Sequence, residues 1–302
     1  MKQKPTKTGG RANPLNDFLF LKTMGEKGDE EQLLSFLNAV LGRTGANRFA
    51  SIDIIENKKL AAEIAGGKSC VLDLRAVLQD GTRFIAEVQI RNQHNMDKRS
   101  LFYWSQEFTR SLGKGQTYSE LPKVISINIV GFEFMPSGDF HTCYHLKEDR
   151  DQTLLTDALE IHFIDMVKWR RQSKKDIVNN PLHRWLTWLD PTSPPELAEE
   201  ALEMDTAIQK AQEKQDYILR DEEALHHYQM QQMAYWDNIS ANKYMEEIKK
   251  EAENARKEAE TALKEGMEKS SMEIARRMKA RGRPTDEIAE DTGLSRNVIE
   301  KL

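Results

Sequence analysis

Residues 70–90 place two carboxylates and a carboxamide, Asp73, Glu87 and Gln89, on two strand-like runs either side of a glycine turn. In CVLDLRAVL (70–78), Leu72, Leu74, Ala76 and Leu78 fall on one face, and Val71, Asp73, Arg75 and Val77 on the other. In RFIAEVQI (83–90), Phe84, Ala86, Val88 and Ile90 oppose Arg83, Ile85, Glu87 and Gln89. Alternate side chains of a strand share a face, so each run has an apolar side and a side that carries acid groups. A two-residue Asp80-Gly81 loop would set Asp73 against Val88, mixing the two kinds of face. A three-residue Gln79-Asp80-Gly81 loop sets Asp73 against Glu87 and Leu74 against Ala86. Gly81 then supplies the left-handed residue that closes such a loop. A one-residue slip turns a whole strand over, so the apolar pattern selects the second register.

Directly opposed side chains have Cβ atoms about 4.5–5.5 Å apart, and two carboxylates that close resist ionising together. A divalent cation removes the conflict. Mg²⁺ takes one or two carboxylates along with waters and substrate phosphate, polarises a phosphoryl oxygen and lowers the pKa of an attacking water. Asp73 and Glu87 are therefore the candidate metal ligands, and Gln89, on the face of Glu87, is placed to orient water or touch phosphate. The competing reading pairs Asp73 and Glu87 with Arg75 and Arg83 on a solvent-facing sheet.

The elements that must hold these residues alternate along the first 190 positions. Leu33, Leu34, Phe36, Leu37, Val40 and Leu41 have helical spacing between Asp29 and Gly42, as do Leu101, Trp104, Phe108 and Leu112 in the stretch 95–112. Strands are predicted at 51–57, 70–78, 83–90, 123–134 and in FHTCYHL and EIHFIDM, with a short helix at PLHRWLTWL. The prolines of Asp190-Pro-Thr-Ser-Pro-Pro195 end this pattern. Beyond them the chain is rich in Glu, Lys, Ala and Gln, with Glu-to-Lys pairs four apart that support a solvated helix, and without sustained heptads. Four regions are expected: a flexible tail at 1–12, a domain at 13–190, a charged helical region at 196–270 and a C-terminal element at 271–302.

In that last element Ala289, Gly293 and Val298/Ile299 have helix-turn-helix spacing. Arg276, Arg277 and Arg296 stand where they can meet phosphates, yet the second helix ends about two turns after Ser295, short for reading a major groove. An oligomerisation or packing hairpin is the favoured reading, with DNA contact as the alternative. His141 and His145 are four apart in a strand-like segment, and no Cys or carboxylate completes a zinc set, so ordinary polar packing is expected.

Bulk properties fit a soluble, cytoplasmic chain. Its 302 residues can bury a sizeable core. The two cysteines, Cys70 and Cys143, are too far apart in sequence to suggest a disulfide framework. No apolar stretch follows the basic N-terminus, and no run reaches the roughly 18 residues of a membrane span. Residues 1–195 carry 27 Lys and Arg against 24 Asp and Glu, and the remainder 17 against 25. Charge alone does not announce a nucleic-acid partner.

The ordered blocks NPLNDFLFLKTMG, EEQLLSFLNAVLG, LDLRAVLQDGTRFIAEVQI, DKRSLFYWSQEFTRSLGKGQTYSELPKVISINIVGFEF and EIHFIDM, spanning 13–170, resemble the PD-(D/E)XK nuclease family of recombination-promoting nucleases and transposases. The resemblance implies an α/β fold with a restriction-endonuclease-like αβββαβ core and mixed sheet, followed by a mostly helical C-terminal region. It also implies Mg²⁺-dependent cleavage of DNA, with Mn²⁺ as a substitute, in recombination, mobile-element or DNA-defence processes. Asp73 would be the metal-binding aspartate and Glu87 the acid of the E-x-K or E-x-Q motif. Gln89 stands where many superfamily members carry lysine, a group that stabilises developing charge, although glutamine is common in the family itself. Arg99 is the first candidate to supply the missing cation, ahead of Lys98 and Lys68. Asp17 and Glu56 are auxiliary acidic candidates, with capping or surface roles as the alternative, and Tyr103 and Trp104 are expected to pack. Double-strand cutting by one centre per chain would favour a homodimer. The alternative to an active nuclease is a catalytically decayed DNA-binding or oligomeric scaffold protein.

Overall fold

The computed structural model describes residues 11–55 and 74–302. Asp73, Glu56, Lys68 and Cys70, with most of the expected N-terminal tail, lie outside the described residues.

Helix α1 (Asp17–Met24) is not among the elements expected from periodicity; its run of apolar residues, DFLFLKTM, gives no helical stripe because nearly every side is covered. Its start is set by Asn16, whose side chain accepts from the Leu19 N–H at 3.1 Å. Helix α2 (Glu30–Val40) follows, buried through Leu33, Phe36 and Leu37 as its spacing predicts. Strands β1 (Ile52–Ile55), β2 (Leu74–Leu78) and β3 (Arg83–Gln89) form an antiparallel meander. Helix α3 (Met96–Arg110) crosses to β4 (Val124–Val130), which lies parallel to β3. Edge strand β5 (His141–Tyr144) and β6 (Leu159–Asp165) complete a six-stranded mixed sheet of order β1-β2-β3-β4-β6-β5. The αβββαβ succession is the expected restriction-endonuclease-like core, so the fold is α/β.

The β2–β3 hairpin has the register that the apolar alternation demands. Leu74 pairs with Ala86 and Val77 with Arg83. The loop is Gln79-Asp80-Gly81, closed by Leu78 N–H donating to Thr82 O at 2.8 Å, with Gly81 at φ +85°. Leu74, Ala76, Leu78, Phe84, Ala86 and Val88 enter the main core together with Ile125, Ile127 and Ile129 of β4.

On that side the sheet is covered by α1, α2, α5 (Pro181–Leu189) and α7 (Thr206–Ile218), after a short α4 (Met166–Arg171). Helix α6 (Pro195–Met204) packs on α5 and α7. Asn180 caps α5, with Pro181 in its first turn, and Trp185 and Trp188 are fully buried. Against the opposite side lies α3, where Met96 and Trp104 join Val130, Ile161 and Phe163. The Trp104 Nε1–H donates to Val124 O at 3.0 Å, the packing role expected of it.

The chain divides into two compact units, 1–232 and 233–302. Helix α8 (Glu222–Ala280), 59 residues long, runs from the first into the second. In the second unit α9 (Thr285–Thr292) and α10 (Arg296–Lys301) fold against the end of α8 around Ala275, Ile288 and Ile299. Gly293 ends α9 at φ +68°, its N–H donating to Ala289 O at 2.9 Å, the turn foreseen from the Ala289–Gly293 spacing. No helix among the described residues is long and apolar enough to cross a membrane.

Candidate active site

Glu87 sits near the C-terminal end of β3 on the side covered by α3, and only 6% of it is exposed. Its ion-pair partner comes from the first turns of α3: Arg99 Nη2 lies 2.6 Å from Glu87 Oε1. The arginines that might have neutralised it are engaged elsewhere. Arg75 Nη2 and Arg83 Nη1 each lie 2.7 Å from the carboxylate oxygens of Glu107, an almost buried residue of α3. For Glu87, the competing reading of a solvent-facing pairing with Arg75 or Arg83 does not hold. Helix α3 covers that face, and Glu107 takes both guanidiniums.

Gln89 follows Glu87 on the same face, half-buried, with its Nε2 donating to Arg91 O at 2.9 Å. Asn128 is the cross-strand neighbour of Glu87 on β4. It is buried and donates from Nδ2 to His162 O at 3.0 Å, while its Oδ1 has no hydrogen-bond partner among the described residues.

A second acid joins from the other end of the sequence. Asp17, the first residue of α1, lies within electrostatic reach of Arg91 and Arg99. Burial raises its carboxyl from the ordinary 3.8 to about 6, against the opposing pull of Arg91 and then Arg99. The helix is capped by Asn16 and not by Asp17. Glu87, Gln89 and Arg99 therefore meet at one place, with Asp17 and Arg91 at its margin. Arg91 was missed by sequence reasoning; its only signal was proximity to the E-x-Q pair.

Among the described residues, the C-terminal arginines lie in the second compact unit. Arg276, Arg277 and Arg296 are exposed. Arg277 pairs with Glu273, and Arg296 with Asp286 at 2.8 Å. Exposed pairs of this kind contribute little and exchange partners readily.

His141 makes a polar contact with His162, and a different cluster lies beside it. In a strand, positions 141, 143 and 145 share a side, and the antiparallel neighbour β6 contributes Glu160 and His162 to it. One ligand atom from each of Cys143, Glu160 and His162 lies within 4.8 Å of the others. Sequence spacing could not join them because 16 residues of loop and strand separate Cys143 from Glu160. Partial burial, then the Glu160 carboxylate, push the Cys143 thiol up to about 11.

Comparison with known proteins bears on the first of these centres. A family model described as PD-(D/E)XK nuclease family transposase matches residues 14–245, which include α1, all six strands and α3. No curated protein and no solved structure matches the chain. With three-quarters of its length matched and the αβββαβ sheet in place, the chain belongs to the PD-(D/E)XK nuclease family transposases.

Proposed function

We propose that the protein is a divalent-metal-dependent DNA endonuclease whose centre is formed by Asp73, Glu87, Gln89 and Arg99. The observation that carries this reading is Glu87, a carboxylate held under α3 with Arg99 against it and Gln89 two residues on. Burying a carboxylate is costly unless a cation compensates it. The donor set suits a hard ion: Glu87 is an oxygen ligand, Asp73 is the metal-binding aspartate that the resemblance implies, and Asp17 lies nearby as a third acid.

Asp73 and Glu87 would hold Mg²⁺ or Mn²⁺, which when bound supplies charge to the scissile phosphate and acidifies a water. Glu87 keeps its carboxylate fixed because β3 lies inside the sheet, paired on both sides. Gln89 turns its amide from Arg91 O to a water or phosphate oxygen, giving orientation without charge. Arg99 shifts from Glu87 to the phosphate oxygens and supplies the positive charge that the missing lysine would give. Arg276, Arg277 and Arg296 add phosphate contacts outside the centre, and cutting of both strands calls for two copies of the chain. Cleavage of this kind serves recombination, movement of mobile elements or defence against foreign DNA.

Purified protein should nick and linearise plasmid with Mg²⁺ or Mn²⁺ and stop with EDTA. Asp73→Ala and Glu87→Gln should each lower cleavage by at least about 100-fold, with circular dichroism unchanged. Cutting at the original rate by either variant would dismiss this centre. The absence of cleavage with any divalent ion, alongside a retained mobility shift, would favour a decayed DNA-binding protein.

A further inference from the structure

The cluster on β5 and β6 is separate from the centre described above. Glu87, Asn128 and Phe163 form one cross-strand row, so His162, the neighbour of Phe163, points to the opposite side of the sheet. Glu160 shares that side, and Cys143 is paired directly with His162 across the edge.

We propose that Cys143, Glu160 and His162, with water in the fourth position, form a zinc-type transition-metal site that fastens edge strand β5 to β6. Four-coordinate zinc bonds of about 2.0–2.3 Å place neighbouring ligand atoms roughly 3.3–3.8 Å apart. Cys143 Sγ lies 3.6 Å from His162 Nε2, and one ligand atom from each of Cys143, Glu160 and His162 lies within 4.8 Å of the others. His162 Nε2 meets Glu160 Oε1 at 2.8 Å, a hydrogen bond that the metal would replace. The opposite nitrogen of His162, Nδ1, is 2.9 Å from His141 Nε2. A ligating histidine is commonly oriented through its second nitrogen in this way. Lys123 contacts Glu160 Oε2 and leaves the carboxylate able to bind through one oxygen.

Thiolate and imidazole donors select zinc, cobalt or copper over magnesium, so this site and the acidic centre would not compete for one ion. On binding, the Cys143 proton is released to solvent. His162 binds through Nε2 by changing tautomer: its one ring proton moves from Nε2 to Nδ1 through exchange with solvent and is donated to His141 Nε2, and His141 carries its own proton on Nδ1.

The test is titration of metal-stripped full-length protein with Co²⁺ alone, read by absorption. The expected result is one equivalent of tetrahedral Co²⁺ with a thiolate-to-cobalt charge-transfer band, displaced by one equivalent of Zn²⁺. Cys143→Ser should abolish the band, and His162→Ala should weaken binding by at least about 100-fold. Cys70→Ser and Glu87→Gln should leave both unchanged. In the wild type Zn²⁺ should raise the thermal midpoint, and in Cys143→Ser it should not. No charge-transfer band in the folded wild type, or a band that survives Cys143→Ser and disappears in Cys70→Ser, would overturn the proposal.

Discussion

Arg99 lies 2.6 Å from Glu87 in an ion pair and also within electrostatic reach of Asp17, so one guanidinium balances two acids from distant parts of the chain. Asp17 remains poorly compensated, as its raised pKa of about 6 records. A carboxyl that binds its proton more tightly folded than unfolded weakens the fold when ionised. The penalty is full above about pH 6, shrinks as pH falls and is gone below the unfolded value of 3.8. Asp17→Asn should therefore stabilise the EDTA-treated protein near pH 8. The gap in pKa sets a ceiling of roughly 3 kcal/mol, and partial solvation brings the expected gain to about 1–2 kcal/mol. The gain should vanish near pH 4. Thermal melts at the two pH values check this, and an equal gain at both would show that charge is not the cause.

At the scale of the element, α3 organises the polar side of the sheet. Its first turns deliver Arg99 to Glu87, and its last turn delivers Glu107 to Arg75 and Arg83, which tie β2 to β3. Removing one member of a buried ionic group leaves the others uncompensated at a cost of about 3–5 kcal/mol. Because the arginines are about one-fifth exposed, Glu107→Ala should cost nearer 2–3 kcal/mol in denaturant unfolding. Glu107→Gln, which keeps the acceptor oxygen, should cost less. Equal losses in the two variants would mean that packing and not charge holds α3 in place. Legibility differed among elements for physical reasons. The β2–β3 hairpin was readable because alternation and the position of Gly81 agree on one register. Helix α1 was not, since a helix buried on nearly every side leaves no periodic stripe.

At the scale of the whole molecule, the sheet and its helices form one compact unit, while the end of α8 with α9 and α10 closes a small core of its own. The three exposed arginines of that element either meet DNA or serve only as solvated charge on a packing hairpin. If they meet phosphate, replacing Arg276, Arg277 and Arg296 together by Ala should weaken binding uniformly across DNA sequences. The slope of log affinity against log salt should then flatten by about 0.9 for each phosphate that an arginine no longer neutralises. Plasmid-binding assays at several salt concentrations read this directly. An unchanged slope would assign the element to packing.

Residue order by itself determined the things that local rules control: the hairpin register, the apolar side of each strand, the α-β-β-β-α-β succession, and the helix-turn-helix spacing around Gly293. Each depends on neighbours within about a dozen positions, where strand alternation, turn chemistry and capping act. The resemblance singled out Arg99 and Asp17 as candidates, but only the tertiary structure decided that Arg99 pairs with Glu87, that Asp17 comes within its electrostatic reach, and that Cys143 faces Glu160 and His162. Those meetings depend on which strands lie side by side and on which helix covers them. Such choices are made by burial of the whole apolar surface and leave no trace in spacing along the chain.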